Sequence, residues 1–217
     1  MRNAPNLAQL QQYQVNRAGQ KEVIWQPQYD FQVYPAAGVG ALTFFQAPIG
    51  QSGKTKADTN LEAAGQFPRP KEFLVNHIEV LFFPGVPPAR GQRNTAAALG
   101  TPQFANDMYA FRQSGFLELF IGSKTYLTDG PMALFPPSGR LAGHAALSDS
   151  TTAGAAQGTQ VDYADAAGAL YEITPVLLES NQNFNVTINF PTAVALPSGI
   201  AARVGVRLGG WLTRNSQ

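Results

Sequence analysis

The sequence predicts an all-β domain preceded by a short N-terminal helical segment. Apolar and polar residues alternate over several stretches, Gly and Pro separate those stretches, and helical periodicity is confined to short segments. The chain has 217 residues, which is enough for one large β domain with a sizeable core. We therefore expect an N-terminal assembly segment at residues 1–19 and a β-sandwich domain at residues 20–217.

Residues 5–18 are predicted to form a helix. Pro5 suits the first helical position, and Leu7, Leu10 and Tyr13 lie along one stripe. The rest of the segment is rich in glutamine and nearly uncharged. Because an isolated helix of this length is marginal in water, we expect the stripe to pack against a neighbouring subunit or a membrane surface. The lack of a polar face rich in Lys and Arg favours the subunit. The three stripe residues are accordingly predicted subunit contacts.

Eight stretches after this segment have the period of two that is typical of β-strands. They are separated by irregular connections, with one inner helix predicted at 106–113 and long connections at 84–105 and 136–168. Eight antiparallel strands with such uneven connections favour a single two-sheet jelly roll over a meander barrel. The predicted strands are residues 21–34, 41–47, 72–83, 115–123, 124–135, 169–179, 183–190 and 199–214.

The alternation also predicts which side of each strand is buried. In residues 21–34 the apolar residues occupy odd positions, so Trp25 is expected in the core. In residues 199–214 the apolar set lies opposite Arg203 and Arg207, and Trp211 falls outside that set. An exposed tryptophan favours a sugar platform or a subunit contact. We therefore include Trp211 among the predicted subunit contacts.

The predicted core residues of three strands share one face of each strand. They are Leu74, Ile78, Val80 and Phe82 in residues 72–83; Phe184, Val186, Ile188 and Phe190 in residues 183–190; and Ile200, Ala202, Val204, Val206 and Leu208 in residues 199–214.

The composition is poor in charge. Charged residues make up 13% of the chain, hydrophobic residues make up 44%, and the formal net charge is +1. A soluble monomer usually carries about twice that charged fraction, roughly a quarter of its residues. The low charge indicates a surface partly covered by neighbours. With no run of five basic residues, direct nucleic-acid binding is not expected.

The stretch APIGQSGKTK, residues 47–56, ends like a nucleotide-binding P-loop. The P-loop pattern needs a glycine five positions before Gly53, and that position holds Pro48. Proline removes a backbone donor and fixes φ where glycine freedom is needed. No sustained helical pattern follows Lys54. We therefore predict a surface loop that binds no nucleotide, and we expect no cofactor.

The sequence shows no catalytic or metal-binding motif. The two histidines, His77 and His144, are far apart, and His77 with Glu79 is at most a lone ligand pair. There is no cysteine and no G-x-S-x-G elbow. We therefore predict that the protein is not an enzyme and that it has neither a metal nor a small-molecule substrate. An enzyme with two carboxylates brought together by the fold stays a third alternative.

Several stretches resemble coat proteins of tailless icosahedral bacteriophages. The stretches are TNLEAAGQFPRPKEFLVNHIEVLFF, FLELFIGSKTYL and ARVGVRLGGWLTR, after a glutamine-rich N-terminal segment. The resemblance implies a jelly-roll capsid subunit that assembles with copies of itself and other capsid proteins into an icosahedral shell. It also implies location in the virion after synthesis in the host cytoplasm, and leaves an internal membrane open as a partner. The alternative function is a carbohydrate- or receptor-binding β-sandwich module.

Overall fold

The computed structural model describes residues 21–84, 104–136, 141–142, 162–163 and 171–215. Two antiparallel sheets pack together as a β-sandwich, with a hydrophobic core between them. In chain order the elements are β1 (Lys21–Trp25), β2 (Gln28–Tyr34), β3 (Ala41–Phe44), β4 (Glu72–Phe83), α1 (Phe104–Ser114), β5 (Phe116–Ile121), β6 (Lys124–Pro131), a 3₁₀ turn (Met132–Leu134), β7 (Leu141–Ala142), β8 (Asp162–Tyr163), β9 (Tyr171–Leu178), β10 (Phe184–Asn189) and β11 (Ala202–Asn215).

The first sheet is built around β11. Strands β1 and β2 both pair with one edge of β11, β4 pairs with its other edge, and β9 pairs with β4. The second sheet has the order β3-β10-β5-β6. All these pairings are antiparallel. The short pair β7–β8 is separate from both sheets.

The predicted cores of β10 and β11 are confirmed. Phe184, Val186, Ile188 and Phe190 are buried from the second sheet, and Ala202, Val204, Val206 and Leu208 from the first. Ile200 precedes β11 and is only partly buried. Both strands lie inside their sheets with one face on the core, so the alternation of their side chains directly reports burial.

The predicted core positions of residues 21–34 are wrong. This stretch is divided at Gln26 and Pro27 into β1 and β2. In β2 the even positions Gln28, Asp30 and Tyr34 are buried, whereas the odd, more apolar positions face outward. Trp25, expected in the core, is 49% exposed.

Leu74 also departs from the prediction, and the cause is local. The register of β4 shifts between Val75 and His77 relative to β9, and between Gly209 and Gly210 of β11 relative to β4. Such a bulge exchanges the two faces of a strand. Phe73 and Val75 therefore face the core before the shift, whereas Ile78, Val80 and Phe82 face it afterwards, as predicted.

Helix α1 packs against the core and extends the predicted helix 106–113 to Phe104–Ser114. Its buried Phe111 ring stacks on Phe82 with a centroid distance of 4.5 Å and contacts Tyr34 edge-on at 5.5 Å. Buried Asp107 accepts a hydrogen bond from the Ser198 N–H at 2.9 Å. The helix is thereby fixed to both the core and the loop before β11.

Candidate contact surface

The GKT stretch has a structural role in this fold. Residues 49–58 form turns and bends, in which Gly50 N–H donates to the Lys54 carbonyl at 2.8 Å. The Lys54 ammonium binds the carboxylate of Asp30 on β2. Lys54 thus points into the protein and its side chain is only 14% exposed. The lysine that a P-loop would use for phosphate instead attaches this loop to the first sheet.

Asp30 is a buried carboxylate that links three parts of the chain. Besides Lys54, it accepts a hydrogen bond from the Phe45 N–H at 2.6 Å, where Phe45 has a left-handed φ of 66°. Burial raises the pKa of Asp30 above its ordinary value of 3.8, while Lys54 and the Phe45 N–H oppose that rise. Because the folded state then holds the proton more tightly than the unfolded chain, Asp30 favours folding most below pH 3.8.

We predict a pH-dependent difference in stability between the wild type and Asp30→Asn. The contribution of Asp30 to the free energy of unfolding should fall as pH rises from 3.8 through its folded pKa, and then stay constant. Urea unfolding of both proteins at a series of pH values would measure it. Glu62→Gln, which removes a half-exposed carboxylate paired with Lys71, is the control. A wild-type advantage that grows with pH would contradict the prediction.

The outer face of the first sheet carries two groups of contacting rings, which together we call the aromatic face. Strand pairing places Trp25 of β1 opposite Trp211 of β11, and Gly209 of β11 opposite His77 of β4. One group therefore lies on three neighbouring strands, and the other lies on β2 and the end of β4. The members of the aromatic face are Trp25, Tyr29, Phe31, His77, Phe83 and Trp211.

One end of the aromatic face is a cluster of two tryptophans and a histidine. The Trp25 ring stacks on His77 with a centroid distance of 5.7 Å and meets Trp211 edge-on at 5.0 Å. Gly209 makes room for this arrangement, since a Cβ there would lie 1.9 Å from Cε1 of His77. The imidazole therefore lies directly on the backbone of β11. A side chain at position 209 would displace it.

His77 is joined to a buried ion pair. Its Nε2 lies 3.1 Å from Oε1 of Glu79, and Oε2 of Glu79 binds the Arg207 guanidinium. Glu79 is 1% exposed, so both of its oxygens have protein partners in place of water. His77 and Glu79 therefore contact each other on one face of β4. This pair serves the packing of the aromatic face.

The other end of the aromatic face is built around Phe31. The Arg203 guanidinium lies 4.3 Å from the Phe31 ring centre, a distance suited to a cation–π contact. Arg203 also donates to the Ala57 carbonyl at 2.6 Å and to Asp58 at 3.1 Å. Both arginines of this face, Arg203 and Arg207, therefore have a carboxylate partner within the chain.

Two polar atoms at the cluster lack a hydrogen-bond partner within the described part of the chain. They are the Trp211 Nε1 donor and Nδ1 of His77, and both are buried. A buried polar group without a partner costs about 1–3 kcal/mol. Trp25 beside them remains half exposed. The cluster thus combines unsatisfied polar atoms with exposed apolar area.

The outer face of the second sheet is different. Thr43 and Thr187 hydroxyls lie 3.3 Å apart across β3 and β10, and Asn189 donates to Glu118 at 2.5 Å across β10 and β5. Such a ladder of small polar side chains is typical of a sheet face in contact with water. Phe116 and Phe120 of β5 also lie partly exposed on this side, but no ring contact between them is found among the described residues. The contacting rings of the aromatic face make it the candidate for contact with a partner.

Other predicted site residues are placed as follows. Trp211 lies on the aromatic face, whereas Leu7, Leu10 and Tyr13 lie outside the described residues. The second histidine, His144, also lies outside them. Among the residues that the structure describes, no group of three or more His, Cys, Asp or Glu could hold a metal ion. None of the described helices has the length and hydropathy needed to cross a membrane.

No family model, curated protein or solved structure matches this chain. The geometry of the aromatic face and the topology of the sheets are therefore the basis for a functional proposal.

Proposed function

We propose that the sandwich is a single eight-stranded jelly roll. The support is a nested set of antiparallel pairs: β2 with β11, β3 with β10, β4 with β9, and β5 with β6. A long hairpin that rolls up into two facing four-stranded sheets produces this nesting. Strand β1 then pairs with the part of β11 beyond β2, on the same edge. The pair β7–β8 lies in the long connection between β6 and β9.

We further propose that the protein is a structural subunit of a viral capsid, present in the virion, that self-assembles into an icosahedral shell. The aromatic face is the observation that carries this proposal, because it exposes apolar area that a lone β-sandwich has no need to leave bare. Its two arginines are paired within the chain. Copies can therefore approach this face without repulsion from unpaired charge.

Assembly of this kind needs no covalent step. Each subunit makes several contacts, so individual contacts can be weak while the closed shell is stable. The residue segment 1–19 is proposed to contribute one of these contacts, and the aromatic face another. Copies of the same chain and other capsid proteins are the proposed partners.

Trp25→Ser is predicted to weaken assembly without unfolding the subunit. Trp25 is 49% exposed, so its loss should affect contacts between subunits more than the core. We expect the concentration needed for large particles to rise at least about tenfold, as for loss of an aromatic interface residue worth roughly 1.4 kcal/mol or more. Light scattering and negative-stain microscopy would measure it.

Tyr126→Ser is the matched control for this experiment. Tyr126 is a similarly exposed ring, at 51%, on β6 of the second sheet. It should leave the assembly concentration unchanged. Absence of large particles for the wild type would reject the proposed function, and equal effects of both substitutions would reject the assignment of the contact to the aromatic face.

A carbohydrate-binding module is the second candidate. The half-exposed Trp25 ring favours it, because such a ring can stack on a sugar face. A lectin-like protein would stay a small oligomer and show saturable changes in tryptophan fluorescence on titration with glycans. Large particles whose fluorescence is insensitive to glycans would exclude this candidate.

A further inference from the structure

The aromatic face is suited to an occupant with apolar side chains. Trp25 exposes half of its surface, and the neighbouring Trp211 Nε1 has no acceptor within the described residues. That donor is already enclosed by the chain's own atoms, so the exposed Trp25 ring is the part that an occupant can cover. The occupant should therefore present an apolar stripe, and neutral flanking groups suit a face whose two arginines are paired within the chain.

The segment 1–18 has this composition. Its predicted helix carries the stripe of Leu7, Leu10 and Tyr13, and Gln11 and Gln14 flank the stripe. Glutamine has an amide oxygen that accepts and an NH₂ group that donates. The segment also has few charges, which suits a face whose arginines are already paired.

The dimensions of the predicted helix and of the aromatic face also agree. Leu7 to Tyr13 span about 9 Å along a helix, and residues 5–18 about 21 Å. The ring centroid of Trp25 lies 5.0 Å from that of Trp211 and 5.7 Å from that of His77. Three stripe residues can therefore cover the cluster. Where β1 pairs with β11, the first sheet has four strands, in the order β1-β11-β4-β9. The axes of its two outer strands are therefore about 14 Å apart.

We propose that the aromatic face is the docking surface for segment 1–18 of a neighbouring copy. This inference rests on the proposed self-assembly. The segment leads directly into β1 at Lys21, at the edge of the same sheet. Each subunit therefore offers the segment and its docking surface side by side, and exchange of segments between neighbours connects them in series.

The two tryptophans report directly on the occupancy of this surface, because the chain has only Trp25 and Trp211 and both lie on it. The experiment measures acrylamide quenching of the full-length protein over a dilution series, with particle size followed by light scattering. In assembled protein we expect the quenching constant to be about half that of dilute protein, because a neighbour covers the rings.

The test variant is Leu7→Ser/Leu10→Ser/Tyr13→Ser, which removes the stripe. The control is Gln12→Ser/Asn16→Ser, on the opposite side of the predicted helix. The stripe variant should stay as strongly quenched as dilute wild type at every concentration and should not form large particles. The control should behave like the wild type.

Three results would overturn the inference. Normal particles with protected tryptophans in the stripe variant would reject the docking while keeping self-assembly. Protection that is the same in dilute monomers would show that the segment of the same chain occupies the face. If the wild type forms no particles at any concentration, the proposed function fails and the contact between copies fails with it.

Discussion

Replacing Ile188 with Ala is expected to lower the free energy of unfolding by about 2–5 kcal/mol, as for other large buried aliphatic side chains. Ile188 is 0% exposed in the middle of β10, where it lies opposite Leu42 of β3 and Leu117 of β5. Both neighbours are also buried, so removal of three carbon atoms leaves a cavity that few side chains can fill. Urea denaturation would measure the loss.

Thr187→Ala is the matched control, one residue away on the other face of β10. Its hydroxyl lies 3.3 Å from both Thr43 and Asn185 at the polar outer face of the second sheet. We expect a change of less than about 1 kcal/mol. Equal losses for the two variants would show that both faces of β10 are buried within the subunit, contrary to a two-layer sandwich with a polar outer face.

Side-chain alternation predicted burial where one face of a strand packs on the core and the other meets polar neighbours. Val186 and Ile188 of β10 and Val204 and Val206 of β11 are such cases. Their burial depends only on the local period and on the position of the strand within its sheet. The local period is visible in the sequence, and the structure places both strands inside their sheets.

The same reasoning failed for β2 because the groups that its side chains contact are distant in sequence. Asp30 can face inward since Lys54 and the Phe45 N–H satisfy its carboxylate. Tyr29 and Phe31 can face outward since they join the aromatic face. A buried polar residue is tolerated only with such partners, and alternation within one strand does not reveal them.

The aromatic face was only partly predictable for a similar reason. Trp211 could be recognised because it departs from the apolar side of its own strand. Trp25, His77 and Glu79 join it through the pairing of β1 and β4 with β11, which brings together residues up to 186 positions apart, as Trp25 and Trp211 are. The glycine at position 209, opposite His77, was the available signal, since glycine inside a strand often marks close approach of another group.

Glu79→Ala is predicted to destabilise the first sheet. Glu79 is 1% exposed and binds both the Arg207 guanidinium and His77 Nε2, so its loss leaves two polar groups without this partner. Breaking a fully buried ion pair costs about 3–5 kcal/mol. The Arg207 side chain is 27% exposed and keeps part of its hydration. We therefore expect a loss of roughly 2–4 kcal/mol in the free energy of unfolding.

The matched control is Glu172→Ala, because Glu172 is an exposed carboxylate on β9 directly opposite His77. It should change stability by less than about 0.5 kcal/mol. The double variant Glu79→Leu/Arg207→Leu should recover part of the loss, since it removes the guanidinium together with its carboxylate partner. Urea denaturation of the wild type and the three variants, with light scattering on each, separates stability from assembly.

If Glu79→Ala is as stable as the wild type, the buried ion pair does not hold the aromatic face in place. If the double variant is less stable than Glu79→Ala, the cost comes from lost packing around Arg207 and not from an unpaired charge.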